Sequence, residues 1–355
     1  MPSTFSPPAD DAALEALFVP FDTGELTLPG DGRVLFLRAR DGFRLREMAG
    51  KGWVCEQTFK PFADALSRSR LTVQAPGGQA RFPLVLVLPP RQRDEARALF
   101  AQAVRRASEG GVVLAAVPNA EGAKSAQTDL ASVAGPLHQL SKHKCRVFWT
   151  QPLGSQVDPV VLDAWASLDE PCINDAGYVS RRGLFAWDRV DDASALLATQ
   201  LPADLAGRVA DFGAGYGYLS AQLIARCPAV TAIDLYEAES RALEPAQQNL
   251  QRAQQKAGRD VAFTVHWHDV TQGVGQRYDA IVSNPPFHQG RADLPELGRA
   301  FIDTAADALQ PHGRLWLVAN RHLPYEATLA ARFNEVRTVV TQDGFKVIEA
   351  RGVRA

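Results

Sequence analysis

Short apolar runs recur along the chain and alternate with longer stretches whose apolar residues follow helical spacing. Strands that are buried on both faces of a parallel sheet read as continuous apolar runs. The runs that predict strands are Val34–Arg38, Leu84–Leu88, Val112–Val117, Arg146–Trp149, Val209–Phe212, Val230–Ile233, Ala262–Trp267, Ala280–Ser283 and Leu315–Val318. The stretches that predict helices are Asp94–Ala107, Leu219–Arg226, Glu237–Ala257 and Gly298–Leu309. This alternation predicts an α/β fold with parallel sheets and helical crossovers.

The two halves of the chain repeat the same motifs in the same order. The segment GRVLFLRARDGF, from Gly32, resembles GRVADFGAGYGY, from Gly207. Further along, Glu56 aligns with Asp234, PLVLVLPPRQ parallels YDAIVSNPPFHQ, and GGVVLAAVPN parallels HGRLWLVAN. Any two α/β units share some likeness, but ordered matches that include a Pro-Pro pair at a strand end favour a duplication.

The length of the chain also fits two domains. A chain of 355 residues exceeds what one ordinary hydrophobic core supports. Prolines are frequent between residues 151 and 175, which is typical of a linker. We therefore predict two tandem Rossmann-like domains, covering 1–165 and 166–355.

Composition narrows the class of protein. The 38 Lys and Arg residues against 40 Asp and Glu give a formal net charge of −2, so any nucleic acid would have to bind a local patch. Four scattered cysteines without a CxxC pair predict neither a disulfide framework nor a zinc site. The N-terminus lacks the pattern of a signal peptide, and no apolar run is long enough for a membrane span, so we expect a cytoplasmic protein.

A glycine-rich turn is the strongest sign of a ligand site. Asp211 ends a predicted strand, Gly213, Gly215 and Gly217 follow, and a helix is expected from about Tyr218. Glycines let a backbone turn tightly and approach a ligand, which in α/β folds lies at the carboxyl ends of the strands. Dinucleotide enzymes use G-x-G-x-x-G, whereas this turn is G-x-G-x-G with an acid two residues upstream. We predict a cofactor site here; the alternative is a tight turn without a ligand.

Two further acids are candidates for the same site. Asp234 is expected to close the second strand, where a carboxylate can accept two hydrogen bonds from a ribose diol. Asp269 follows a third strand and would accept from an adenine amino group. The alternatives are a helix N-cap for Asp234 and an ordinary loop residue for Asp269. His266 and His268 have no third ligand nearby, so no metal is predicted.

The Asn-Pro-Pro-Phe segment predicts the reacting group. Two prolines end the strand Ala280–Ser283 in a stiff turn that projects Asn284. The side-chain oxygen of Asn284 and the carbonyl of Pro285 would accept the two N–H bonds of an exocyclic amine and aim its nitrogen at a methyl donor. Phe287 would stack on the base. The alternative is a structural Asn-Pro turn.

Together, the glycine turn, Asp234 and Asn284-Pro-Pro-Phe287 resemble class I methyltransferases that act on planar amino or amide nitrogens. The variant SNPPFH, with the preceding segment GLFAWDRVD from Gly183, is most similar to the bacterial ribosomal RNA guanine-N2 methyltransferases of the small-subunit type. This resemblance implies a seven-stranded catalytic sheet, S-adenosylmethionine as methyl donor and N2 of a guanine in ribosomal RNA, 16S more than 23S, as acceptor. Leu184-Phe-Ala departs from the Val-Phe-Ser start that is more frequent in that family.

The same resemblance implies that the first half is a methyltransferase-like domain without a cofactor site. Arg38 and Arg40 stand where the second half has Gly213 and Gly215. Leu88 and Arg91 likewise stand in place of the asparagine and the phenylalanine of the Pro-Pro turn. We expect this domain to position RNA or to support the catalytic domain.

Candidate RNA contacts are local. The basic residues are Lys142, Lys144 and Arg146 in the first half, and Arg181 and Arg182 in the second. Such residues bind phosphates, although solvated surface charge is the equally simple alternative. The expected partner is ribosomal RNA or a ribosomal subunit, and the expected state is a monomer.

Two other functions share much of this pattern. Asn-Pro-Pro-aromatic motifs also occur in enzymes that methylate adenine N6 or a protein glutamine amide, and the duplicated architecture favours guanine N2 over both. A non-catalytic RNA-binding assembly factor is the third possibility. The intact Asn284 and the three glycines argue against that third function.

Overall fold

The computed structural model describes residues 11–286, 288–289, 292–293 and 295–354. The chain divides into two compact units, the first ending at Glu170 and the second beginning at Pro171. The predicted boundary, between residues 165 and 166, falls just before this division.

The first unit contains seven strands among its described residues. They are β1 Val34–Leu37, β2 Trp53–Glu56, β3 Val73–Gln74, β4 Phe82–Val87, β5 Ala107–Pro118, β6 Leu137–Lys142 and β7 Cys145–Thr150. Its helices are α1 Ala12–Leu17, α2 Val19–Asp22, α3 Phe43–Met48, α4 Lys60–Arg68, α5 Arg93–Arg106, α6 Ala123–Ala134 and α7 Pro159–Ala166. The strands form one sheet in the order β3-β2-β1-β4-β5-β7-β6.

The second unit begins with a two-stranded sheet, β8 Cys172–Ile173 and β9 Val179–Ser180. Its main strands are β10 Ala206–Phe212, β11 Ala229–Glu237, β12 Ala262–Trp267, β13 Tyr278–Ser283, β16 Leu309–Asn320, β17 Phe333–Gln342 and β18 Phe345–Val353, with β14 His288–Gln289 and β15 Ala292–Asp293 as a separate pair. The helices are α8 Asp192–Gln200, α9 Tyr218–Arg226, α10 Leu243–Ala257, α11 Pro295–Ala308 and α12 Glu326–Arg332.

The two large sheets have the same topology. The second sheet runs β12-β11-β10-β13-β16-β18-β17, which repeats the strand order of the first. In both sheets the first five strands are parallel, and the last strand in sequence pairs antiparallel to both of its neighbours. The predicted fold, two tandem α/β units with a seven-stranded sheet in the second, is confirmed.

The core explains why the central strands read as apolar runs. Along β10, Val209 packs in one apolar cluster, while Ala210 and Phe212 pack in another on the opposite face. Successive side chains of a strand point to opposite faces, so a strand covered by helices on both sides is apolar at every position. No helix among the described residues is long and apolar enough to cross a membrane.

One predicted element is wrong at a place that matters for the site. The helix predicted over Glu237–Ala257 begins only at Leu243, because β11 continues to Glu237 and a short 3-10 turn, Ser240–Ala242, follows it. Glu237 pairs with Trp267 of β12 in the parallel ladder. This sheet pairing fixes the backbone of Glu237 in an extended conformation and overrides its local helical propensity.

Candidate active site

The glycine turn lies at the carboxyl end of β10, where the predicted helix α9 begins at Tyr218. Gly213, Gly215 and Gly217 all have positive φ, which disfavours residues with a side chain. A Cβ on Gly217 would lie 2.9 Å from the side chain of Leu250, so this glycine lets α10 pack closely. A Cβ on Gly215 would meet no atom within 4 Å. The turn therefore packs on one side and is open on the other.

Asp211 supports this turn from inside the protein. Its carboxylate is fully buried and accepts hydrogen bonds from the backbone and the hydroxyl of Ser220, at 3.1 and 2.7 Å. Its second oxygen, Oδ1, has no hydrogen-bond partner in the described part of the chain. Burial raises the pKa of Asp211 to about 7. The residue thus keeps one unused acceptor beneath the turn.

The expectation that Asp234 closes the second strand is wrong. β11 continues three positions beyond it, and the Asp234 carboxylate is held by Arg208 Nε at 2.8 Å and by His266 Nε2 at 3.0 Å. Burial pushes the pKa of Asp234 upward, but the bonds from Arg208 and His266 outweigh it, and the pKa lies below the ordinary value. Both carboxylate oxygens are therefore engaged inside the protein.

The carboxylate that reaches the glycine turn belongs to Glu237, the first residue of the segment predicted as a helix. Its Oε2 accepts from the backbone N–H of Gly215 at 2.7 Å, and its Oε1 accepts from the N–H of Glu239 at 2.7 Å. Burial raises the pKa of Glu237. Glu237 ends its strand beside an open glycine, which is the position that had been expected for Asp234.

Asp269 follows the end of β12 and is buried. One oxygen accepts from the backbone and the hydroxyl of Thr271, at 3.0 and 2.7 Å, and the other is 3.4 Å from the side-chain nitrogen of Gln272. The carboxylate thereby caps the 3-10 turn Val270–Gln272. An adenine contact by Asp269 would have to share these oxygens.

Asn284 follows β13, the strand next to β10. Its Nδ2 donates to Asp191 Oδ2 at 2.9 Å and to Ser194 Oγ at 2.8 Å. Its Oδ1 has no hydrogen-bond partner among the described residues. A Cβ on Gly213 would lie 3.8 Å from the carbonyl oxygen of Asn284, so the glycine turn and the Asn-Pro turn are neighbours.

Pro285 is buried directly after Asn284, in the position expected for a second acceptor at the end of β13. Phe287, predicted to stack on a base, lies outside the described residues. Its role stays a prediction.

These features fit S-adenosylmethionine at the ends of β10, β11 and β13. Gly215 leaves open space, Glu237 places a carboxylate beside it that could accept from a ribose diol, and Asp211 keeps an acceptor oxygen without a partner in the described part of the chain. Among the described residues, no group of three or more His, Cys, Asp or Glu side chains is arranged to hold a metal ion.

The corresponding place in the first unit is filled by arginine. Arg38 keeps a positive φ, as Gly213 does, and its guanidinium faces Glu95 at 3.7 Å. Arg40, at the position of Gly215, forms two short contacts with Asp11, with Nε to Oδ2 at 2.7 Å and Nη2 to Oδ1 at 3.0 Å. These ion pairs occupy the turn where the second unit has glycines, which is consistent with the prediction that the first unit lacks a cofactor site.

Strand registers test the predicted repeat residue by residue. Leu37 pairs with Val87 as Phe212 pairs with Ser283, so Leu88 does correspond to Asn284. Leu88 is buried and apolar, and it offers no side-chain acceptor. Glu56, by contrast, was aligned wrongly: Leu37 pairs with Glu56 as Phe212 pairs with Tyr236, so the counterpart of Glu56 is Tyr236.

The basic residues differ in their surroundings. Lys142 and Lys144 are exposed at the turn between β6 and β7, and β6 is an edge strand. Arg146 is partly buried and donates to Gln127 Oε1 at 2.6 Å. Lys142 and Lys144 are therefore better placed for phosphate than Arg146.

Arg181 and Arg182 lie in the second unit, before α8. Arg181 forms an ion pair with Glu244. The guanidinium of Arg182 lies over the Trp187 ring, 5.7 Å from its centre. Both side chains already contact protein groups, so RNA binding by either would share these contacts.

Comparisons with known proteins agree with this geometry. Residues 176–349 match the model of the family described as methyltransferase small domain. A ribosomal RNA small subunit methyltransferase C from Pseudomonas aeruginosa (strain LESB58) is 30% identical over 308 residues, covering 86% of this chain and 90% of that protein. The enzyme of the same name from Shewanella halifaxensis is 30% identical over 292 residues, covering 81% and 82%.

A solved structure confirms the fold over nearly the whole chain. The T. thermophilus 16S rRNA N2 G1207 methyltransferase, in complex with AdoMet and guanosine, superposes with a TM-score of 0.76 at 23% identity and covers 96% of this chain and 92% of that one. Likeness at this identity is evidence for the fold, and the relatives at 30% identity are evidence for the family. The chain therefore belongs to the ribosomal RNA small subunit methyltransferase C family, which confirms the family resemblance predicted from its motifs.

Proposed function

We propose that this protein transfers a methyl group from S-adenosylmethionine to N2 of a guanine in 16S ribosomal RNA. The observation that carries this proposal is the hydrogen bonding of the Asn284 side-chain amide. Its amide nitrogen is bound by Asp191 and Ser194, while its oxygen has no partner among the described residues and stands beside the glycine turn. An acceptor without a donor, at the end of a strand next to a cofactor turn, suits an exocyclic amine.

S-adenosylmethionine supplies an electrophilic methyl group on a positively charged sulfur. Glu237 is the residue we assign to the ribose diol, in place of Asp234, because its carboxylate contacts the glycine turn, whereas that of Asp234 is held by the side chains of Arg208 and His266. Each oxygen of Glu237 accepts one backbone N–H and has a further lone pair for a ribose hydroxyl. Gly215 leaves room for the ligand, and Asp211 holds the turn through Ser220. Asp269 stays a candidate for the adenine contact.

At the acceptor, Asn284 Oδ1 and the carbonyl of Pro285 accept the N–H bonds of the exocyclic amine. This orients the nitrogen and concentrates its lone pair toward the methyl group. A bond forms between N2 and the methyl carbon as the carbon–sulfur bond breaks with its electrons going to sulfur. The products are S-adenosylhomocysteine and N2-methylguanine, and water takes the proton that the nitrogen loses. Phe287 is proposed to stack on the base.

The substrate assignment rests on the relatives. They are named as small-subunit ribosomal RNA methyltransferases, and the T. thermophilus structure contains guanosine. We propose that the first unit positions the RNA through Lys142 and Lys144 or supports the catalytic unit, and that the protein acts in the cytoplasm as a monomer. Adenine N6 and glutamine amides present similar planar nitrogens, so the test must distinguish them.

Methylation in vitro tests the proposal. The whole protein is incubated with labelled S-adenosylmethionine and either naked 16S RNA, naked 23S RNA, 30S subunits or a glutamine-containing ribosomal protein fraction, all from cells that lack the related enzyme. We expect N2-methylguanosine in 16S RNA on nucleoside analysis. Label in N6-methyladenosine or in protein would refute the guanine assignment, and an absence of label from every acceptor would favour the non-catalytic function.

The Asn284→Ala variant tests whether the side-chain oxygen of Asn284 binds the reacting amine. Losing one preorganised polar contact to the reacting group costs about a hundredfold in rate by analogy with oxyanion holes. We expect that loss in single-turnover rate, with cofactor affinity nearly unchanged, and a smaller loss for Asn284→Asp, which keeps an acceptor. A wild-type rate for Asn284→Ala would contradict the mechanism.

A further inference from the structure

The start of α8 is tied to the reacting asparagine. Asp191 is the N-cap of α8, and its Oδ2 accepts from the backbone N–H of Ser194 at 2.9 Å. The same oxygen accepts from Asn284 Nδ2 at 2.9 Å, and Ser194 Oγ lies 2.8 Å from that nitrogen. Two residues about 90 positions before Asn284 in the chain thus bind one end of its amide.

The Asp191 carboxylate determines whether the NH2 group or the carbonyl of the Asn284 amide faces it. A carboxylate oxygen can only accept hydrogen bonds, so the amide group facing Asp191 must be NH2 and not the carbonyl. With both N–H bonds of Asn284 used, the oxygen must point the other way. The absence of a partner for this oxygen within the described chain agrees with that orientation.

The orientation matters because an amide has two unlike ends. If the amide turned by 180°, it would present N–H donors to the N–H bonds of an exocyclic amine, and no hydrogen bond would form. A bond to a charged partner is worth about 1.5–3 kcal/mol, which corresponds to a preference of roughly tenfold or more for one orientation. The carboxylate also polarises the amide and makes its oxygen a stronger acceptor.

We propose that Asp191 and Ser194 are positioning residues that hold the amide of Asn284 with its oxygen toward the methyl acceptor. This inference rests on the proposed function, since it assigns the orientation of the group that receives the exocyclic amine. Neither residue touches the substrate; both act through Asn284.

Three variants separate positioning from folding. Ser194→Ala removes the hydroxyl but leaves the helix cap, because that bond is donated by the backbone of residue 194. Asp191→Gly removes the carboxylate but keeps a residue type that caps helices almost as well. Asp191→Asn keeps an acceptor oxygen.

The matched control is Asp158→Gly, which removes the carboxylate from the exposed N-cap of α7 in the first unit.

A double-mutant cycle gives the decisive readout. Single-turnover methylation is measured with saturating RNA and cofactor, alongside cofactor affinity and melting temperature. Asp191→Gly should slow transfer about tenfold or more, Ser194→Ala by less, and Asp191→Asn should recover most of the rate. Cofactor affinity should stay within about twofold of that of the unaltered protein, as for a residue that acts only on the chemical step.

In the Asn284→Ala background, Asp191→Gly should cost less than about twofold, because the group on which it acts is gone. An equal loss in both backgrounds would show that Asp191 acts independently of Asn284 and would overturn the proposal, as would a wild-type rate for Asp191→Gly. If the unaltered protein methylates a base other than guanine, the proposed function fails, yet the same cycle on that base still tests the positioning.

Discussion

The contrast between Glu237 and Asp234 offers the sharpest test of how the cofactor binds. Two acids lie three positions apart on β11, yet only Glu237 contacts the glycine turn, with its Oε2 2.7 Å from the Gly215 nitrogen. Asp234 is bound by Arg208 and His266. We expect Glu237→Ala to weaken cofactor binding and Asp234→Ala to leave it within about threefold, a change of less than 1 kcal/mol.

The magnitude follows from the bonds that are lost. A hydrogen bond to a carboxylate is worth about 1.5–3 kcal/mol, so losing one bond from a ribose hydroxyl raises the dissociation constant roughly 10- to 150-fold. Truncation also leaves the N–H groups of Gly215 and Glu239 without their present acceptor. Glu237→Gln, which keeps an acceptor oxygen, should fall between the wild type and alanine.

Calorimetric titration of the whole protein with S-adenosylmethionine measures these constants, and a cofactor analogue without ribose hydroxyls makes the test specific. The analogue should bind the wild type more weakly than the natural cofactor does, while Glu237→Ala should bind the two about equally. The assignment would be refuted if Asp234→Ala lost more affinity than Glu237→Ala while both variants kept their melting temperatures. Equal discrimination against the analogue by wild type and Glu237→Ala would refute it too.

Further predictions concern other parts of the site and the first unit. Gly215→Arg should abolish cofactor binding in calorimetry, because its side chain would enter the open space beside the turn, whereas Gly258→Arg, at another open glycine with positive φ, should bind normally and lose a similar amount of melting temperature to backbone strain. Because burial raises the pKa of Asp211 to about 7, protonated Asp211 favours the folded state, and the free energy of unfolding should fall as the pH rises from about 4 to about 7. Asp211→Asn should reduce this pH dependence of the unfolding free energy in denaturant titrations. An unchanged pH dependence would show that it arises from other titratable groups. Replacing Lys142 and Lys144 by alanine should weaken RNA binding and lower its logarithmic salt slope by about 1.5, since each lost phosphate contact contributes roughly 0.7–0.9; an unchanged slope would show that these lysines do not bind the RNA.

The pattern of apolar residues predicted the strands well where a strand is buried on both faces of the sheet. The runs predicted for the central strands β1, β4, β10 and β13 end within one residue of the observed strand ends. β1 also begins where predicted, whereas β4, β10 and β13 begin two, three and two residues earlier, and the added starts of β10 and β13 contain the polar residues Arg208 and Asp279. Peripheral strands were missed because their patterns are mixed: β6 and β17 are edge strands with many exposed polar residues. A strand covered on one side only carries a weaker apolar signal.

Motif spacing located the site but not every residue in it. The glycine turn and Asn284 are set by local sequence, and both lie at strand ends as expected. Glu237 was missed because its assignment depends on where β11 ends, and strand ends are decided by pairing with neighbours rather than by local propensity. The signal available was the charged and polar run after Tyr236, which read equally well as the start of a helix.

In each unit, one aspartate caps a helix and also binds a second side chain. Asp11 caps α1 by accepting from the Leu14 nitrogen, just as Asp191 caps α8. In the first unit that carboxylate binds Arg40, and in the second it binds Asn284. The cap satisfies a backbone donor in both cases, so it is maintained whether or not the unit binds a cofactor. Besides Leu88 at the position of Asn284, the two units therefore differ in the partner that this capping carboxylate binds: in the first unit it is Arg40, which fills the turn, and in the second it is Asn284, whose oxygen has no partner among the described residues.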